Sequence, residues 1–114
     1  MSIYTDAQEI IHSALEACLP DQAVRRALEG KEFGSGRVFL VALGKAAWQM
    51  ARCAAELLGP RLERGVVVTK HGHSQGDIPR CQIFEGGHPV PDEGSFRGTR
   101  AAMELVQDLT PQDT

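Results

Sequence analysis

Arg37-Val38-Phe39-Leu40-Val41-Ala42-Leu43-Gly44-Lys45-Ala46-Ala47 is the stretch that decides the fold of this chain. Val38 to Leu43 is an unbroken apolar run, and a strand covered on both faces reads this way in a parallel sheet. Gly44-Lys45 punctuates the run. A helix pattern follows at once, from Ala46 to about Leu58, with Ala47, Met50, Ala51, Ala54, Ala55 and Leu58 recurring every three or four residues. The small residues on this stripe let the helix approach the sheet closely, and Gly59-Pro60 closes it. Arg64-Gly65-Val66-Val67-Val68-Thr69-Lys70 is a second apolar run, so strand, helix and strand make a βαβ unit.

Downstream the chain turns polar and glycine-rich from His71 to Asp77, and a shorter strand follows over Gln82–Glu85. Gly86-Gly87-His88-Pro89-Val90-Pro91-Asp92 cannot extend that strand, because its glycines and prolines break a ladder. The spacing predicts a last helix from Asp92 or Ser95 to Leu109, with Ala101, Ala102, Leu105, Val106 and Leu109 on one side. Upstream, Ile3, Ala7, Ile10, Ile11, Ala14, Leu15 and Cys18 build one face of a helix over Thr5–Cys18. Thr5 and Gln8 have the spacing of a capping box. Pro20 ends this helix; Asp21 is expected to cap a short one carrying Ala23, Val24, Ala27 and Leu28, and Gly30 to stop it. The fold class expected is α/β: a parallel, doubly wound, Rossmann-like sheet with flanking helices, over residues 1–114.

At 114 residues the chain is one domain at most, and 42% apolar with 24% charged residues is ordinary globular composition. A net charge of -3 with twelve scattered Lys and Arg leaves no basic footprint for nucleic acid. Four Phe, one Tyr and one Trp offer few stacking platforms for bases. Cys18, Cys53 and Cys81 are odd in number and lack C-x-x-C spacing, so neither a disulfide framework nor a zinc site is indicated. Cys18 and Cys53 fall on apolar stripes and read as small buried hydrophobes. No leader pattern opens the chain and no apolar run nears the roughly 18 residues of a span, so a cytoplasmic protein without membrane contact is expected.

Ligands of doubly wound sheets bind beyond the carboxyl ends of the strands. Three unusual segments fall there: Gly44-Lys45, Lys70 to Asp77, and Gly86 to Asp92. Gly44 permits a tight turn, and the helix start after it offers free amides to an anion. Lys45 places a full positive charge where the helix dipole disfavours one, a misfit that an anion would relieve. A plain turn with a solvated lysine is the competing reading. Neither G-x-x-x-x-G-K-[ST] nor a G-x-G-x-x-G after a strand occurs; Gly34-Ser35-Gly36 precedes one. His71-Gly72-His73 with Asp77 lacks a third ligand at persuasive spacing, so no metal site is assigned and a contact to substrate or to a facing domain is the other reading. The prolines stiffen Gly86 to Asp92 into a loop able to hold His88 and the next helix start in place. A stiff connector with Asp92 as helix cap explains the same residues.

Taken in order, Leu43-Gly44-Lys45-Ala46-Ala47 with Met50-Ala51, then Gly65 to His73, then Glu85 to Ser95, resemble the N-terminal domain of glycerate 2-kinases of the MOFRL-associated family. Some members carry the label hydroxypyruvate reductase. The resemblance implies a two-domain enzyme that moves the γ-phosphoryl group of ATP, with a divalent metal such as Mg2+, to the 2-hydroxyl of D-glycerate in a cleft between its domains. Lys45 matches the family's lysine and is the implied catalytic residue. Gly44, Lys70, His71, Gly72, Gly87, His88, Pro89 and Asp92 match cleft positions and are the implied substrate- and phosphate-binding residues, with no metal ligand among them. The resemblance also implies an incomplete chain, lacking further strands and a C-terminal domain. Such a fragment is expected to be inactive alone, to hold no ATP or metal, and to self-associate through an exposed sheet edge or apolar surface. An NAD(P)H-dependent hydroxypyruvate reductase, disfavoured by the missing glycine fingerprint, and a non-catalytic binding or assembly domain are the alternatives.

Overall fold

A computed structural model describes residues 2–114. The apolar runs become three parallel strands, β1 (Val38–Leu43), β2 (Leu62–Lys70) and β3 (Cys81–Gly86), adjacent in that order. Helix α1 spans Ile3–Ala17, α2 Pro20–Leu28, α3 Ala47–Leu58 and α4 Glu93–Val106. The expected α/β class and βαβ unit are therefore present, and the two sheet helices take opposite faces. Ala47, Trp48 and Ala51 of α3 pack with Val67 and Ile78, flanked by Leu40, Ala42 and Ile83. On the other face Gly98 of α4 lies against Val68 and Phe84. Within each strand successive residues thus serve different helices, as a period of two requires.

Full burial of a side chain such as Val67 contributes about 1.5–3 kcal/mol, and Val24, Cys53 and Ala54 extend the core to α2. The connection from β2 to β3 contains no helix. Ile78 from this loop enters the core, and the buried Trp48 indole donates from Nε1 to the Gly76 carbonyl at 2.8 Å. Burial of an indole needs such a partner, so Trp48 anchors the loop while filling the core.

Several expectations are corrected. Helix α1 begins at Ile3, because Ser2 is its N-cap and the Ser2 Oγ accepts the Thr5 amide at 3.2 Å; Thr5 lies inside the helix and the Thr5–Gln8 box does not form. The apolar face of α1 exists but buries none of its residues, so Cys18 just beyond it is exposed, while Cys53 is buried as expected. Helix α2 starts with Pro20 at its first position, where a missing N–H costs nothing, and Asp21 sits in the first turn and pairs with Arg52 at 3.2 Å instead of capping. Strand β1 is not covered on both faces: α4 lies over β2 and β3, leaving Val41 41% and Leu43 65% exposed. Met50 of the α3 stripe is exposed as well.

Helix α4 stops at Val106 rather than Leu109. The Asp113 carboxylate accepts the Thr110 amide at 2.9 Å and the Arg37 guanidinium at 2.9 Å, folding the last residues back to the start of β1. Among the described residues no helix is long and apolar enough to cross a membrane.

Candidate functional site

Because the strands are parallel, the segments after Leu43, Lys70 and Gly86 emerge at one edge of the sheet. The first is a turn at Gly44, whose φ of +117° lies where L side chains rarely go. Its backbone is pinned from several directions. The Gly44 amide donates to the Val68 carbonyl at 3.0 Å. The Lys45 carbonyl accepts the Thr69 hydroxyl at 3.3 Å and the His73 Nδ1–H at 3.0 Å. Thr69 is only 3% exposed, a buried hydroxyl that this bond satisfies. The carbonyl side of the turn is thus consumed by the fold, while the Lys45 side chain is exposed. No side chain caps α3, which starts directly after the turn.

The second and third segments are tied to each other. His71 bonds through Nε2 to the Asp92 carboxylate at 2.7 Å, and the Gly72 amide donates to the Glu85 carboxylate. Asp92 also accepts the amides of Gly94 and Ser95 at 3.0 and 3.3 Å, and the Ser95 hydroxyl oxygen in turn accepts the Asp92 amide, completing a capping box. The hydrogen bond from His71, helped by those from the Gly87 and Ser95 amides, holds the Asp92 carboxyl down to about 2. Gly87 is required by close approach: a Cβ there would sit 2.2 Å from the Val90 carbonyl oxygen.

The two helix starts at this edge therefore differ. Asp92 already supplies an anion to the amides of α4, whereas the start of α3 has no such partner. A hollow of about 180 Å³ opens beside the latter, lined by Gly44, Lys45, Lys70, Gly86, Gly87 and His88 together with Leu43, Val68, Thr69, Ser95 and Thr99. Its charged side chains are two lysines, and no carboxylate lines it. Phosphate or carboxylate oxygens suit two ammonium groups held beside a helix start. At this volume the hollow falls below the roughly 300–1,000 Å³ of sites that enclose a ligand, so it is one wall of a site.

Of the expected residues, Gly44, Lys45, Lys70, Gly87 and His88 line the hollow. His71, Gly72 and Asp92 brace the neighbouring loops, and Pro89 lies in the third loop after a cis His88–Pro89 bond. The paired histidines do not converge: His71 turns to Asp92 and His73 to Lys45. Sequence reasoning missed Thr69, Glu85, Ser95 and Thr99 as participants. Thr69 had a signal, being a polar residue that follows three valines in an apolar strand.

A larger hollow, about 690 Å³, lies at the amino ends of the strands. Arg37, Arg64 and Arg80 there are balanced by Glu63, Glu104 and Asp108, so it has no net attraction for an anion. The carboxyl edge is the better candidate on topological grounds as well.

Comparison with known proteins places this geometry among relatives. Residues 6–114 match the family described as Domain of unknown function (DUF4147). The chain is 50% identical over 108 residues to the D-glycerate 2-kinase of Thermotoga maritima, covering 95% of this chain and 25% of that protein. It is 35% identical to the glycerate 2-kinase of Pyrococcus horikoshii, covering 99% and 27%. A protein of Agrobacterium vitis that carries a hydroxypyruvate reductase name is 40% identical, covering 68% of this chain and 18% of its own length. The crystal structure of the Thermotoga maritima glycerate kinase superposes with a TM-score of 0.86, covering 94% of this chain and 25% of that one. The chain spans about a quarter of the length of the kinases it matches.

Proposed function

We propose, from the premise that the chain belongs to the DUF4147 domain family, that it forms the phosphate-facing wall of a glycerate 2-kinase cleft and is the N-terminal part of such an enzyme. The observation that carries this reading is the convergence of Lys45, Lys70 and the Gly44 turn that precedes α3 on a hollow without a carboxylate. Phosphoryl transfer asks a protein mainly to position two reactants and to neutralise charge spread over the transferring oxygens. Lys45 is the catalytic cation in this proposal, held by a turn whose carbonyl is already bonded. Gly44, Lys70, Gly87 and His88 contact phosphate or the glycerate carboxylate and hydroxyls.

His71, Gly72, Pro89 and Asp92 serve the same function by bracing the loops that carry those contacts. Lys45 and Lys70 fit the phosphate chain of ATP, which supplies the phosphoryl group. Among the described residues no three His, Cys, Asp or Glu side chains gather as a metal set, so a divalent metal such as Mg2+ would reach this wall through the phosphates of ATP. The reductase reading gains no support from the fold, since no glycine fingerprint follows β1.

The test is a chimera in which this chain replaces the matching quarter of the Thermotoga maritima enzyme, assayed for ADP formation that depends on D-glycerate. Lys45→Met should lower its kcat/KM by about 10²–10³-fold, the usual effect of removing one preorganised charge from a transition state. Because the side chain is exposed and has no ion-pair partner among the described residues, its melting temperature should not move. A Lys45→Met chimera within threefold of its parent defeats the assignment. The 114-residue chain alone should show no turnover.

A further inference from the structure

The backbone carbonyl of Lys45 is bonded differently from those beside it. Its neighbours in the turn bond locally: the Gly44 carbonyl accepts the Ala47 amide at 3.1 Å, and the Ala46 carbonyl accepts the Met50 amide at 3.0 Å. Among the described residues the Lys45 carbonyl accepts no backbone amide. Both of its lone pairs go instead to side chains, to the Thr69 hydroxyl at 3.3 Å and the His73 Nδ1–H at 3.0 Å. A single donor leaves a peptide plane free to swing about the bond, whereas two donors from different residues hold it. That plane contains the Lys45 Cα, so the two bonds set the direction in which the Lys45 side chain leaves the turn.

Neither donor is free to drift. Thr69 is buried within β2. His73 is exposed, but the loop that carries it is tied on both sides. Trp48, in the first turn of α3, donates to the Gly76 carbonyl at 2.8 Å, and His71 bonds to Asp92 at 2.7 Å. The loop thus grips the start of α3 at two points, the Lys45 carbonyl and the Trp48 indole. One hydrogen bond would satisfy a carbonyl. The second adds direction.

We propose that Thr69 and His73 are positioning residues for phosphoryl transfer, acting through Lys45 rather than on the substrate. This rests on the reading of Lys45 as the catalytic cation. Two consequences follow from the chemistry of the contact. A carbonyl only accepts, so the His73 ring carries its proton on Nδ1, the tautomer that an unbonded histidine disfavours. Lysine also reaches its target on a flexible four-carbon stem, which absorbs part of any shift of the backbone. Freeing the carbonyl therefore costs about ten-fold in kcat, less than the hundred-fold that a misplacement of about 1 Å can cost.

The contact can be tested without any activity. Nitrogen–proton NMR correlations of the imidazole rings, recorded on the 114-residue chain at about pH 8.5 where a histidine is ordinarily neutral, report each tautomer. His73→Ala assigns the signal. His73 should be protonated on Nδ1; a ring protonated on Nε2, or averaged between the two, overturns the inference whatever Lys45 does. Kinetics of the chimera then test the role. Thr69→Val together with His73→Ala should lower kcat about ten-fold and leave KM for ATP and D-glycerate within about twofold. Thr69→Ser together with His73→Asn, which put back a hydroxyl and an N–H, should recover most of the loss. In a Lys45→Met chimera, Thr69→Val with His73→Ala should change kcat/KM by less than about twofold, because their effect passes through the missing ammonium group. A second ten-fold loss in that background overturns the inference, as does a folded Thr69→Val, His73→Ala chimera as fast as its parent. Should that double variant fail to fold, His73→Ala alone, at an exposed position, should show a smaller loss in kcat that disappears with Lys45→Met; no loss overturns the inference. These outcomes leave the catalytic reading standing wherever Lys45→Met itself is crippled. A Lys45→Met chimera that stays active removes that reading, and the positioning role with it, even where the tautomer is as expected.

Discussion

Gly44→Ala separates the geometry of the candidate site from its charge. An added Cβ would meet nothing within 4 Å, so the substitution causes no collision. Its cost is conformational: a φ of +117° is strained for alanine, by about 1–3 kcal/mol. The turn could escape by moving to a negative φ, but that gives up the bond from the Gly44 amide to Val68 and pulls the Lys45 carbonyl from Thr69 and His73. At about 1 kcal/mol for each of these bonds, relaxation costs as much as the strain it relieves. Either route therefore destabilises by about 1–3 kcal/mol.

Unfolding entropy near 2.1 cal/mol/K per residue gives about 0.24 kcal/mol/K for a chain of this length, so the melting temperature should fall by roughly 4–12 °C. Thermal and urea unfolding followed by circular dichroism measure this, with Gly34→Ala as the control. Gly34 has no left-handed φ, and its Cβ would meet only the Gln112 carbonyl at an ordinary 3.7 Å, so its stability should stay within about 0.5 kcal/mol. In the chimera, Gly44→Ala should also reduce kcat/KM although every charge is retained, because Lys45 is displaced. A Gly44→Ala chain that melts within 2 °C of its parent would refute the reasoning.

Acid should destabilise the chain in a defined window. Asp92, held at about 2, and Asp113, held lower still chiefly by Arg37, both titrate below the ordinary carboxylate value of about 3.9, so the unfolded chain takes up protons first. Their contribution is complete above that value and disappears as pH falls from about 4 towards 2; Asp92→Asn with Asp113→Asn should flatten the urea midpoint over this range, and an unchanged slope counts against the two pairs. The 114-residue chain should also self-associate through α1, where Ile3, Ile10, Ile11 and Leu15 are 59–89% exposed. Light scattering should show growth with concentration that Ile11→Lys with Leu15→Lys suppresses, and a monomeric parent at high concentration would dispose of this expectation.

Local signals made much of the fold readable in advance. Apolar runs bounded by glycine located β1, β2 and β3 to within two residues, and Asp92 was legible as the cap of α4 because capping is chemistry between near neighbours. The start of α1 was not, since Ser2 and Thr5 both have the hydroxyl a cap needs and local spacing does not rank them. Burial of Cys18 was misjudged for another reason: an amphipathic face states what a helix can cover, and among the described residues nothing packs closely enough on α1 to bury any of its side chains. The end of α4 depended on Asp113 reaching Arg37, 76 residues away in sequence.

What the sequence determined by itself is the set of elements, their parallel order and the edge at which Gly44-Lys45, Lys70 and His88 must appear, because periodicity and chain-breaking residues act over a few positions. Tertiary structure decided which of these groups remain free to meet a ligand. The parallel register sets Thr69 and His73 against the Lys45 carbonyl, 24 and 28 residues away, and brings Asp92 to His71 across 21 residues. Those bonds consume the turn's carbonyl and the acidic residues of the edge, leaving two ammonium groups around one hollow beside the uncapped start of α3. No local propensity encodes such pairings, since they exist only once strands distant in sequence lie 4.7–4.9 Å apart, the usual spacing of about one hydrogen bond.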